Sequence, residues 1–186
     1  KEKIVILGAG SNILINDGLF NGVVIKLGKK FSNISLLENK TIIAGSAISD
    51  KKLSEFAAEN NIAGFEFLSC IPGTVGGGLR MNSGCFEREF KDIVLSVQAI
   101  DKTGKIITIP SSKIKFEYRK TSLQKDLIFL SASLKGNIGI KEKILENMKK
   151  LQAKKNETQP SKIKTGGSTF KNPINQTDKK VWELIK

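Results

Sequence analysis

A mixed fold of short strands and a few amphipathic helices is what this sequence predicts, and three observations carry it. Short β-type runs recur along the chain, each bounded by turn residues. Two stretches repeat apolar residues at spacings of three and four, and between them lies a glycine-rich segment that follows neither period. With 39% hydrophobic residues among 186, there is apolar material for one sizeable core or two small ones.

The elements follow in order. Ile4 to Leu7 and Gly22 to Leu27 read as short buried strands, the first running into Gly8-Ala9-Gly10-Ser11-Asn12. Ile34 to Gly45 reads as a hairpin turning at Glu38-Asn39-Lys40. Ser49 is placed to cap a helix whose apolar stripe is Leu53, Phe56 and Ala57, and which ends near Asn60-Asn61. Phe65 to Phe86 holds Pro72 and five of the seventeen glycines, and reads as a long structured loop with one helical turn at most. Asp92 to Ile100 puts Ile93, Leu95, Val97 and Ala99 on one face and turns at Asp101-Lys102-Thr103-Gly104 into Lys105 to Ile109. Leu127 to Leu134 is a further strand. Ile140, Ile144, Leu145, Met148 and Leu151 define a helix from Lys141 to about Lys155 with its basic side outward. Val181 to Lys186 reads as the start of another helix. With no initiator Met and a strand beginning at residue 4, the sequence is expected to be internal to a longer protein.

Composition narrows the function classes. The chain has no His, which removes His-based metal sites and every His-dependent triad, and Cys70 and Cys85 form no C-x-x-C pair. No metal is expected, and both cysteines are expected as free thiols. No apolar run approaches the roughly 18 to 20 residues that span a bilayer, so a soluble, cytoplasmic protein without a membrane partner is expected. The net charge of +13 raises the question of nucleic acid. Lysines are spread along the whole chain and only three basic residues are Arg, whereas a nucleic-acid module concentrates Arg beside exposed aromatics. No nucleic-acid partner is expected, though a positive field favours anionic ligands such as dinucleotides and nucleotide sugars.

Four segments carry chemistry. Gly8-Ala9-Gly10-Ser11-Asn12 follows a strand directly, and glycines there let backbone N–H groups approach an anion; a pyrophosphate cradle and a plain strand-to-loop turn both fit. Ile71-Pro72-Gly73-Thr74-Val75-Gly76-Gly77-Gly78, continued by Met81-Asn82-Ser83-Gly84, costs conformational entropy without adding core, so something lies close against that backbone: a planar or phosphate-bearing cofactor, or a packing crossover. Arg80 inside it faces either an anionic ligand or solvent. Phe116-Glu117-Tyr118-Arg119 offers the planar fork of an Arg, suited to a carboxylate. Lys164-Thr165-Gly166-Gly167-Ser168-Thr169-Phe170-Lys171-Asn172-Pro173 joins a glycine turn to a hydroxyl, two amines and an amide, and reads as a proton-donor loop or a polar connector.

In this order the four segments resemble the UDP-N-acetylenolpyruvylglucosamine reductases, whose pattern has a GxGSN turn, an IPGTVGG loop followed by MNxG, a YR, and GGSxFKNP. The resemblance runs through essentially the whole chain and favours the subtype with the short form of the last motif. It implies an α+β flavoprotein fold of the vanillyl-alcohol-oxidase or PCMH type. Residues 1–136 would form the FAD-binding domain, without its N-terminal part, and residues 137–186 a linking helix and the start of a substrate-binding domain.

The resemblance also implies an NADPH-dependent FAD enzyme of peptidoglycan synthesis, and so of cell-wall growth, cell shape and division, acting as a monomer in the cytoplasm. Hydride passes from NADPH to the flavin and then to the vinyl carbon of an enolpyruvyl nucleotide sugar. Gly8, Gly10, Ser11 and Asn12 would meet the FAD pyrophosphate; Pro72, Gly73, Thr74, Gly76, Gly77 and Asn82 would line the flavin. Arg119 would stabilise the developing enolate and Ser168 would donate the proton, with Tyr118, Lys171 and Asn172 at the substrate. Two departures stand out. Ser83-Gly84-Cys85-Phe86-Glu87 differs from the family's common loop, and the family's third catalytic group, a Glu near its C-terminus, has no counterpart here, so these 186 residues are expected to be inactive alone. Another FAD-dependent oxidase or dehydrogenase of the same fold is the alternative.

Overall fold

The protein was analysed as a computed structural model, which describes residues 2–159, 170–173, 176, 177, 179 and 181–185. Two three-residue strands, β1 (Ile4–Ile6) and β2 (Val23–Ile25), pair in parallel. A hairpin follows, β3 (Ile34–Leu36) and β4 (Thr41–Gly45), its turn passing through Lys40 at φ 62°. Helix α1 (Asp50–Glu59) starts where Ser49 Oγ accepts the Lys52 N–H at 3.2 Å, as the N-cap chemistry predicts. Next come β5 (Ile62–Ala63), a 3₁₀ segment at Glu66–Cys70, and α2 (Val75–Met81). Two short hairpins, β6 (Gly84–Cys85) with β7 (Arg88–Glu89) and β10 (Phe116–Glu117) with β11 (Lys120–Thr121), flank the long pair β8 (Val94–Ile100) and β9 (Ile106–Pro110). The described chain closes with β12 (Ile128–Lys135), β13 (Asn137–Ile138), α3 (Lys141–Thr158) and α4 (Val181–Leu184).

The central sheet is antiparallel with order β3-β4-β12-β8-β9. Period-two alternation sends Ile42, Ala44, Val97, Ala99, Ala132 and Leu134 into one core, shared with Leu53 of α1, Val75 and Leu79 of α2, and the cluster Phe65, Phe67 and Phe90. The strand β13 pairs with β5, and α3 lays Ile144 and Met148 against Ala58 of α1, so residues 137–158 pack onto the same body.

Three expectations are corrected. β1 and β2 are open rather than buried: Val24 is 52% exposed and Ile4 59%, because no other described strand pairs with this two-stranded unit. Leu95 points outward, since a bulge opposite Ser133 and Leu134 skips it and puts Val94 inside. The 65–86 segment holds more helix than one turn, and two of its glycines are packing glycines. A Cβ on Gly78 would lie 2.1 Å from Phe90 Cε2, and one on Gly76 3.1 Å from Ser46 Cβ, so α2 crosses its neighbours at backbone distance.

Candidate functional site

Bringing the Gly8–Ile13 turn, the start of α1, residues 70–78 and the β6–β7 hairpin together encloses a cavity of about 1230 Å3. Gly8, Gly10, Ser11 and Asn12 form one wall and Pro72, Gly73, Thr74, Gly76 and Gly77 another. The walls meet closely at two glycines: a Cβ on Gly8 would come within 2.8 Å of Thr74 Oγ1, and one on Gly73 within 2.7 Å of Asp50 Oδ2, so either side chain would have to shift to admit it. Gly10 holds φ at +83°, which β-carbon-bearing residues rarely adopt.

Arg119 lies on the rim. It occupies the two-residue turn between β10 and β11 at φ 56°, and its Nη2 donates to the Gly84 carbonyl at 3.2 Å, fixing one edge of the guanidinium. Lys26, Lys154 and Lys155 bring further positive charge to the lining, and Lys155 Nζ donates to the Cys70 carbonyl at 2.6 Å. Cys70 and Cys85 face each other there as free thiols; burial, reinforced by Cys70, pushes the Cys85 thiol up to about 12.

The polar atoms of the walls are unusual. Among the described residues, the buried side-chain atoms without a hydrogen-bond partner are Ser46 Oγ, both Asp50 carboxyl oxygens and Ser83 Oγ, and all three residues line this cavity. An unpaired buried polar group costs about 1–3 kcal/mol, so such atoms mark where a partner belongs. Asp50 is fully buried, and burial pushes its carboxyl up to about 8.

Other expected residues sit elsewhere. Asn82 is fully buried and off the cavity wall: its amide donates to Glu89 Oε2 at 2.9 Å and the Glu117 carbonyl at 3.2 Å, and its own carbonyl accepts the Lys91 N–H at 3.0 Å. At φ 41° it ends α2 and ties β7, the turn that follows it and β10 together, a structural post rather than a lining residue. Arg80 touches the cavity, but its guanidinium donates to the Leu123, Gln124 and Leu127 carbonyls and lies 4.2 Å from the Phe129 ring, which commits it to the fold. Tyr118 is half-buried and outside the lining. Lys171 and Asn172 are exposed, and Asn172 Oδ1 accepts the Val181 N–H at 3.2 Å. Ser168 lies outside the described residues. Sequence reasoning missed Ser46, Asp50, Lys154 and Lys155 as lining residues; only the helix stripe of α3 hinted at the last two, by assigning its basic side to the surface.

An antiparallel sheet backed by helices, carrying a glycine-walled, positively charged cavity with unpaired polar atoms, defines an α+β domain that takes a flat, phosphate-bearing cofactor. The comparisons agree with this class. The family model described as FAD binding domain matches residues 1–110, and the chain belongs to that family. It is 66% identical over 186 residues to a UDP-N-acetylenolpyruvoylglucosamine reductase from Pelagibacter ubique and 48% identical over 185 residues to one from Rickettsia typhi. Both matches cover 100% of this chain, which spans 62% and 61% of the two relatives' lengths. The crystal structure of a UDP-N-acetylenolpyruvylglucosamine reductase from Thermus caldophilus superposes with a TM-score of 0.82 at 29% identity, covering 96% of this chain and 64% of that one. A carbon monoxide dehydrogenase structure from Hydrogenophaga pseudoflava shares the fold, with a TM-score of 0.52 at 14% identity over 72% of this chain and 52% of that one.

Proposed function

We propose that this chain belongs to an NADPH-dependent flavoenzyme that reduces the enolpyruvyl group of UDP-N-acetylglucosamine enolpyruvate to UDP-N-acetylmuramate. The observation that carries the reading is the cavity itself, where both glycine motifs and Arg119 converge on one wall system with unpaired polar atoms. The walls fit FAD: the glycine backbones admit a flat ring and a pyrophosphate at close range, and the surrounding lysines match the phosphate charge. When bound, that cofactor would supply two-electron hydride chemistry.

The chain's own residues divide the remaining work. Gly8, Gly10, Ser11 and Asn12 hold the pyrophosphate, and Pro72, Gly73, Thr74, Gly76 and Gly77 cover the ring. Arg119, with one edge tied to Gly84, presents its fork to the substrate carboxylate and stabilises the enolate charge that develops beside it. Ser168 supplies the proton to the enolate carbon, for which its placement matters more than a shifted pKa. Tyr118, Lys171 and Asn172 hold the nucleotide sugar. Asn82 serves by bracing the loop rather than by touching the ring. Residues 1–136 form the cofactor domain, and residues 137–186 the linking helix and start of a substrate domain.

The same reading makes the protein a monomeric, cytoplasmic enzyme of peptidoglycan synthesis, acting in cell shape and division without a membrane or nucleic-acid partner. It is supported by the identity to the two reductases and by the absence, among the described residues, of a helix long and apolar enough to cross a membrane. The test is NADPH oxidation by the full-length protein with the enolpyruvyl sugar added. Sugar-dependent turnover that drops by about 10²–10³ in Arg119→Ala is expected. Rapid reoxidation by oxygen without use of the sugar would identify another oxidase of this fold instead.

A further inference from the structure

Asp50 has no role in the reading above, yet it is the most anomalous side chain in the cavity. It opens α1, directly after the Ser49 cap, and is fully buried with neither carboxyl oxygen hydrogen-bonded. Its Oδ2 lies against Gly73, where a Cβ would come within 2.7 Å, and its backbone N–H donates to the Gly73 carbonyl at 3.2 Å. The loop it backs is held to the sheet side by two more bonds, Val75 N–H to the Ile48 carbonyl at 3.0 Å and Gly76 N–H to the Ser46 carbonyl at 2.9 Å. Ser46 Oγ, also unpaired, stands in the same wall. Asp50 is thus in contact with the loop and lines the cavity beside it.

Among the described residues no charge pairs with this carboxyl. On the elements packed around it, Lys51 pairs with Glu55 at 3.7 Å, Lys52 is exposed, Glu66 accepts the Gly64 N–H at 2.7 Å, and Cys70 hydrogen-bonds with Ser69. The cavity adds Lys26, Arg80, Glu87, Arg119, Lys154 and Lys155, and none of them reaches an Asp50 oxygen. The N-terminal end of α1 favours a carboxylate, but no first-turn N–H meets either oxygen, so burial dominates and the neutral acid is the resident form up to about pH 8.

We propose that Asp50 is a positioning residue: as a neutral acid packed against Gly73 it keeps residues 71–77 in the form that accepts the cofactor, and its ionisation releases that loop. A carboxylate in this place would be buried, unpaired and pressed against backbone, and either the side chain or the loop would have to move to reach water. Neutrality also suits the site's ligand, since a buried carboxylate in the cavity lining would oppose the phosphate charge of that ligand.

The proposal rests on the cofactor reading, and two measurements keep them apart. The first uses the cofactor-free protein: hydrogen exchange of the Val75 and Gly76 amides in wild type and Asp50→Asn, compared at the same pH so that intrinsic exchange cancels. Equal rates at pH 6.5 and exchange about tenfold faster in wild type at pH 9 are expected; equal rates at pH 9 overturn the proposal. The second is the dissociation constant for FAD. It should weaken about tenfold between pH 7 and pH 9 in wild type and stay flat in Asp50→Asn, and an Asp50→Asn profile that tracks wild type overturns the coupling. Wild-type loss of amide protection together with no FAD binding by either protein at any pH removes the cofactor reading and leaves the Asp50 device standing.

Discussion

The five-stranded sheet and the cavity wall beside it are built from opposite materials. In the sheet, β-branched and aliphatic residues alternate inward, their backbone groups pair along four antiparallel ladders, and no described buried side-chain polar atom is left over. In the wall, glycines stand where side chains would clash, and four buried polar atoms go unpaired. The sheet is where burial stabilises; the wall gives up packing and hydrogen bonds to keep room for a ligand. A change in the sheet should therefore appear in stability first, and a change in the wall in binding first.

The sharpest break of that division is Phe90→Ala. Phe90 is fully buried, edge-on to Phe67 with ring centroids 6.4 Å apart, and seated on Gly78. Losing it should cost about 3–5 kcal/mol in urea unfolding, and a smaller loss would mean the core collapses onto the cavity.

Next in size is the pH dependence of Asp50. Its folded carboxyl sits near 8 against about 3.9 unfolded, so its stabilising contribution is complete below about pH 4 and is lost as pH rises toward 8. Asp50→Asn should gain on wild type by up to about 1.4 kcal/mol per pH unit across that window. Unfolding midpoints at pH 5 and pH 7.5 measure it, and a constant difference between the two proteins would refute it.

Gly73→Ala sharpens the comparison from the wall side. The added Cβ meets Asp50 Oδ2, which should cost about 1–3 kcal/mol, while FAD affinity falls by more than that loss alone explains. Affinity unchanged beside reduced stability would make Gly73 a packing glycine like Gly78. The smallest effect is expected at Ser49→Ala, which removes the cap bond to Lys52 and should lower stability by about 1 kcal/mol without changing FAD affinity.

Much of the fold was legible because its signals are local. The Ser49 cap, the stripe of α3 and the turn at Asp101, whose carboxylate accepts the Thr103 and Lys105 N–H groups, each depend on residues a few positions apart. Leu95 departs from the expected face because alternation assumes an unbroken ladder, and the bulge it forms in β8 is set by pairing with Ser133 and Leu134 of β12, nearly forty residues away. β1 and β2 were misread because apolar composition marks a strand without saying whether anything covers it.

The site shows the same boundary. Glycine clusters are visible in a sequence because their entropic cost demands a reason, and both clusters do meet in one cavity. The partners of a polar side chain are not visible, since they come from segments far away in the chain. Folding in three dimensions makes Asn82 a post between Glu89, Lys91 and Glu117, commits Arg80 to three carbonyls some forty residues on, and sets Cys70 beside Cys85. The order of residues alone sets the local elements, the succession of the motifs and the sign of the field. Which polar atoms were satisfied, and that Asp50 was buried without a partner, was decided by packing, because desolvation and hydrogen bonding depend on every neighbour in space rather than on those in the chain.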